Sequence, residues 1–198
     1  MRLLYSLFFC FCCLFVAPKV VAAEAWSLPS TINDTNTTVT FDVDSTWHAV
    51  HGTTSQVTGT IRQRDPADPL SIEVDLTIPV GSFNTNWESR DERLAQVIGA
   101  DQFKQVRFTS SKLLATCHPL RVQNERHCSG TLAGTLTIRD VTRPIALPVE
   151  VVRSQGKDTI TGKLAVRWGD YDVEDPSILI ARLDPTVTIT YSTEVPLR

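Results

Sequence analysis

The stretch GTLAGTLTIRDVTRPIALPVEV, residues 130–151, decides the fold. Leu132, Leu136 and Ile138 share one face with Gly134, while Thr131, Thr135 and Thr137 take the other. Beyond Arg143-Pro144, read as a corner between two strands, Ile145, Leu147, Val149 and Val151 resume the same alternation. A period of two with one apolar and one wetted face belongs to antiparallel strands rather than to a helix.

Working outward, the pattern recurs along most of the chain. Val39, Phe41 and Val43 alternate with Thr40, Asp42 and Asp44, and Ile72, Val74, Leu76 and Ile78 with Glu73, Asp75 and Thr77. Ile160, Leu164, Val166 and Trp168 repeat it, as do Val187, Ile189 and Tyr191; residues 56–64 and 105–115 carry weaker versions. That makes eight strands. Asp65-Pro66-Ala67-Asp68-Pro69 separates the second from the third, and Gln155-Gly156-Lys157-Asp158 makes a tight hairpin turn. One segment has helical spacing: Leu94, Val97 and Ile98 within residues 88–98, with Gly99 as the stop, between strands three and four. Eight sequential strands with one apolar face and a single helix to cover it predict a sheet closed on itself. The expected fold is all-β, an eight-stranded antiparallel lipocalin-like barrel, wide enough to be filled by side chains or to hold one small ligand.

The chain has 198 residues, 19 basic against 22 acidic, and five cysteines. This balance argues against a polybasic nucleic-acid binder. Its oiliest part is not in the strands. Residues 3–16 carry no charge, Arg2 precedes them, and small residues follow at Val21-Ala22-Ala23. That is the layout of a secretory signal peptide. Fourteen helical residues rise only about 21 Å, short of the ~30 Å hydrocarbon core, so no stable membrane span is expected after cleavage. Residues 1–23 are therefore expected to be removed and 24–198 to form the domain. Cleavage takes Arg2, Lys19 and three cysteines with it, leaving a formal charge of −5 and only Cys117 and Cys128. In an oxidising compartment these two are expected to pair as a disulfide; a zinc site using His118 and His127 is the alternative.

The 130–151 segment is similar to the paired strands of the YceI-like family, G-x-L-T-I-(R/H)-G-V-(T/S)-(R/K)-P-V-x-L-x-V, with Asp140 where the family usually has glycine. Val80-Gly81-Ser82-Phe83-Asn84-Thr85, then Arg90-Asp91-Glu92-Arg93-Leu94, then residues 103–110 resemble a second family run. There Gln105-Val106 replaces the usual Tyr-Pro. Residues 38–41 and 56–59 resemble the family's opening strands. The resemblance covers residues 26–196 and implies a periplasmic barrel that holds a polyisoprenoid, an isoprenoid quinone or a fatty-acid-like lipid. It implies no catalytic residues, metal or further cofactor.

Joined to the apolar pattern, it marks Phe41, Ile78, Phe83, Leu94, Phe103, Phe108, Leu136, Leu147, Trp168, Ile189 and Tyr191 as candidates to contact the chain of the lipid. Asn84 and Arg90, in a polar cluster with Thr85 and Asp91, are the candidates near its head group. A homodimer stays open.

Other chemistry is thinner. His48 and His51 are three apart; on a strand such residues point to opposite faces, which is poor for one metal, whereas on a turn they could share one. No nucleophile elbow G-x-S-x-G, H-E-x-x-H motif or glycine-rich phosphate loop appears, which leaves a hydrolase as the weaker rival. A β-sandwich interaction module without a cavity is the third reading.

Overall fold

Alternation builds the strands, and the pairing order shows how they curl. The computed structural model describes residues 25–54, 56–115, 127–154, 156–177 and 181–198. The expected signal segment, residues 1–23, and Cys117 lie outside the described residues. In chain order the elements are β1 (Ser30–Ile32), β2 (Thr37–Ser45), β3 (Val50–Thr54), β4 (Thr58–Gln63), β5 (Ile72–Pro79), β6 (Phe83–Asn84), α1 (Glu88–Ile98), β7 (Gln105–Ala115), β8 (His127–Ile138), β9 (Val141–Ser154), β10 (Lys157–Arg167) and β11 (Leu183–Pro196). All eight expected strands are present. Three short ones, β1, β3 and β6, bring the count among the described residues to eleven.

The strands form one antiparallel sheet in the order β1-β4-β5-β7-β8-β9-β10-β11-β2-β3-β6, curled into a half-barrel around an apolar interior. The closed eight-stranded barrel is therefore corrected: β1 and β6 are edges, and the ladder does not close between them. At one end residues 25–36 do that work instead. Ser27 N–H donates to the Pro196 carbonyl at 2.8 Å, Arg198 N–H to Ala25 at 2.8 Å, and Glu194 N–H to Asn36 at 2.9 Å. The same segment then enters β1 and pairs with β4, so it straps β11 to β4.

This strap carries Trp26 to the closed end. Its indole N–H donates to Asp158 Oδ2 at 2.7 Å, and Arg153 grips the same carboxylate through Nε at 2.8 Å and Nη2 at 2.6 Å. Asp158 is fully buried. A buried carboxylate is tolerable only when its charge is paired and its lone pairs are filled, and here both conditions hold.

The turn between β8 and β9 is also corrected. Ile138 faces Val141, so the chain reverses at Arg139-Asp140, with Arg139 at φ 57°. Arg143 and Pro144 lie inside β9, Pro144 opposite Thr135. Proline survives in a strand only where no ladder bond is needed. The β9–β10 ladder ends at Glu150, so residues 141–149 keep one bare side that admits Pro144 and Pro148. At the far end of β9 the expected hairpin is present: Ser154 faces Lys157, and Gly156 sits at φ 77°.

Helix α1 spans the expected residues and stops at Gly99, which is left-handed at φ 75°, ψ 47°, where a side chain would be strained. Val97, Ile98 and Leu94 pack on Val80, Phe83, Val106, Ile138 and Val173, so α1 lies across the end of the sheet opposite Trp26. No helix among the described residues is long and apolar enough to cross a membrane.

Candidate functional site

The pleat sends alternate side chains inward from every long strand, and the space they leave is a cavity of about 640 Å³. Its lining is almost wholly apolar, running from Trp26 at the closed end through Val39, Val74, Leu132 and Val149 to α1. Eleven of the thirteen marked residues line it: Phe41, Ile78, Phe83, Arg90, Leu94, Phe108, Leu136, Leu147, Trp168, Ile189 and Tyr191. Phe41 and Phe83 meet edge to face, ring centroids 5.5 Å apart, across β2 and β6.

Asn84 and Phe103 do not line the cavity. Asn84 follows inward-facing Phe83 on β6, so the pleat turns it out; it is exposed, and its Oδ1 accepts the Asn86 N–H at 2.6 Å. Phe103 precedes β7 and lies against Gly99, under the guanidinium of Arg139, 5.2 Å from the ring centroid.

The polar cluster near α1 is organised by Thr85, which is buried. Asp91 Oδ1 accepts both the Thr85 N–H at 2.9 Å and its hydroxyl at 2.5 Å. Arg90 donates from Nε to Thr85 Oγ1 at 2.8 Å and from Nη2 to the Thr85 carbonyl at 2.7 Å, and its guanidinium lies 5.4 Å from the Trp87 ring centroid. Asp91 is thereby a positioning group outside the lining, whereas Thr85 and Arg90 face the cavity.

The exposed members of the lining are His48, Trp87, Ser89 and Arg93, and they mark the mouth, between the β2–β3 connection and the start of α1. Arg93 and His48 were not among the marked residues. Arg93 had a signal: it lies three residues after Arg90, on the same helical face. The two histidines do not share a strand: His48 lies in the β2–β3 connection and lines the mouth, whereas His51 on β3 pairs with Asp42. Among the described residues no three His, Cys, Asp or Glu side chains are placed to hold a metal.

Tyr191 closes the seam left by the bare side of β9. It faces Gly162 across β10, and its hydroxyl donates to the Pro148 carbonyl, which β10 leaves unpaired. A Cβ on Gly162 would stand 2.1 Å from that carbonyl oxygen and 2.5 Å from the Tyr191 hydroxyl, so only glycine lets the ring through. Burial pushes the Tyr191 hydroxyl pKa well above the ordinary tyrosine range.

Known proteins share this architecture. Protein YceI of Salmonella newport is 30% identical over 118 residues, 59% of this chain and 56% of that protein. A UPF0312 protein of Photorhabdus laumondii is 27% identical over 109 residues, 54% of this chain and 47% of its own length. The chain thus spans about half the length of the curated relatives it matches. Two solved structures share the fold, each at TM-score 0.65. BcnA of Burkholderia cenocepacia is 19% identical, with 82% of this chain and 98% of BcnA covered. A polyisoprenoid-binding domain of Saccharophagus degradans is 15% identical, with 85% and 98% covered. The YceI-like domain model matches residues 31–195, from β1 to the end of β11. With the curled sheet, the single helix after β6 and the β8–β9 hairpin all inside that match, the chain belongs to the YceI-like domain family.

Proposed function

We propose that this chain is an exported, periplasmic binder and carrier of a long-chain amphipathic lipid, a polyisoprenoid or isoprenoid quinone, held in the cavity without being chemically changed there. The observation that carries this reading is the cavity itself: about 640 Å³, almost wholly apolar, closed at the Trp26 end and open beside α1. Pockets of this size suit one ligand, and apolar burial alone supplies roughly 25 cal/mol per Å². Family membership supports it, as does the Saccharophagus neighbour described as polyisoprenoid-binding. Catalysis is not part of the reading.

The proposal includes the cleaved leader of residues 1–23, a domain over residues 24–198 and the Cys117–Cys128 disulfide. Burial of Cys128 in β8 supports the last. Contact between the lipid chain and the eleven lining residues is likewise proposed.

Titration with a fluorescent isoprenoid tests the reading. Wild-type protein binds it, and Leu136→Lys, which places an ammonium in the interior, abolishes binding. Ile189→Trp, at a half-buried lining position, narrows the cavity with less risk to the fold and weakens binding. Circular dichroism checks that both variants fold. Unchanged binding by a folded Leu136→Lys protein would overturn the interior assignment.

A further inference from the structure

The cavity contains a clue to the head group. Among the described residues its only ionic side chains, apart from the titratable ring of His48, are two arginines, Arg90 and Arg93, one turn of α1 apart; no described aspartate, glutamate or lysine lines it. The acids of the same turns are directed elsewhere. Asp91 is spent on Thr85, and Glu88 and Glu92 are exposed outside the lining. Neither arginine forms an ion pair among the described residues. Arg90 is held in place by Thr85 and Trp87, whereas Arg93 forms no hydrogen bond there. Two cations beside an apolar chamber, without a protein anion between them, are a receptor for a negative charge entering with the ligand. Guanidinium is suited to this because its planar fork matches carboxylate and phosphate oxygens.

The cavity of about 640 Å³ is large enough to hold one lipid chain. We infer that the site selects an anionic single-chain amphiphile, with a phosphate or carboxylate head group at the mouth on Arg93 and Arg90 and the chain running toward Trp26. This rests on the lipid-cavity reading above and narrows it from a neutral quinone to an anionic head group.

The test compares three ligands with one chain: geranylgeranyl monophosphate, geranylgeranoic acid and neutral geranylgeraniol. They are titrated into wild-type protein and into Arg93→Gln, which keeps a good helix former at an exposed position. Wild-type protein binds an anionic ligand at least tenfold more tightly than the alcohol at low salt, and added salt reduces that ratio. The comparison of phosphate with acid identifies which head group is preferred. Arg93→Gln collapses the ratio while leaving the affinity for the alcohol unchanged. Equal affinity for all three in wild-type protein overturns the head-group inference but leaves the lipid cavity standing, as does a loss in Arg93→Gln that is the same for alcohol and anions. Absence of binding by all three overturns the cavity reading and this inference with it.

Discussion

Removing the cation from the closed end should be among the most damaging single changes to this fold. Asp158 has no exposed surface, and among the described residues Arg153, whose side chain is 12% exposed, supplies two of the three side-chain hydrogen bonds to its carboxylate. In Arg153→Met the stem is replaced by apolar atoms but the carboxylate stays buried without its cation, with the Trp26 N–H as the remaining described side-chain donor. Stranding one member of a buried ion pair costs about 3–5 kcal/mol, a large share of the 5–15 kcal/mol by which domains are stable. Trp26→Phe removes one hydrogen bond to a charged group and costs less, about 1.5–3 kcal/mol. The double change Arg153→Met with Asp158→Leu removes both charges and recovers most of the loss, because neither is left unpaired. Urea denaturation followed by circular dichroism measures all three. A loss below about 1 kcal/mol in Arg153→Met, or a double variant no more stable than the single, would refute the reasoning.

Three further outcomes follow from the cavity and its seam. Affinity for straight-chain alcohols rises by up to about 0.8 kcal/mol per added methylene and levels off once the chain fills the cavity; calorimetric titration of a length series checks this. Gly162→Ala forces apart the Pro148 carbonyl and the Tyr191 ring and lowers stability by about 1–3 kcal/mol, read as a fall in the urea midpoint. Tyr191 is held neutral by burial, so its folded pKa lies above the ordinary value of about 10. Above that pH the unfolded chain releases the proton first. The stability that Tyr191 contributes is therefore complete below pH ~10 and lost as pH rises toward the folded value, at up to about 1.4 kcal/mol per unit. Denaturation midpoints from pH 9 to 11 should fall less steeply in Tyr191→Phe than in wild-type protein.

What the sequence made legible was whatever repeats. The eight long strands and α1 each carry enough residues for a period to register, and Gly99 marks the helix end by its backbone freedom. The strands β1 and β6, with three and two residues, are too short to show a period, and β3 reads Val-His-Gly-Thr-Thr, with one large apolar side chain. Closure by residues 25–36 depends on β11 and C-terminal partners more than 150 residues away as well as on β4, and no local pattern encodes such a pairing. Pro144 looked like a corner because proline breaks most strands. It is accommodated because the β9–β10 ladder ends at Glu150, which again is a tertiary fact.

The site follows the same division. Residues on long strands faced the cavity as their alternation required, whereas Phe103 lies on a connection whose orientation no period sets. Asn84 could have been excluded from sequence alone, since it neighbours Phe83 on one strand and adjacent strand residues face opposite ways. Arg93 became visible once the helix was placed over the mouth.

The most direct test of the account is to purify the exported protein under native conditions, extract it with organic solvent and identify the extract by mass spectrometry. The account predicts roughly one equivalent of a long-chain lipid per chain, absent from a folded Leu136→Lys preparation. A folded wild-type protein that yields no lipid, and takes none up on titration, would contradict it.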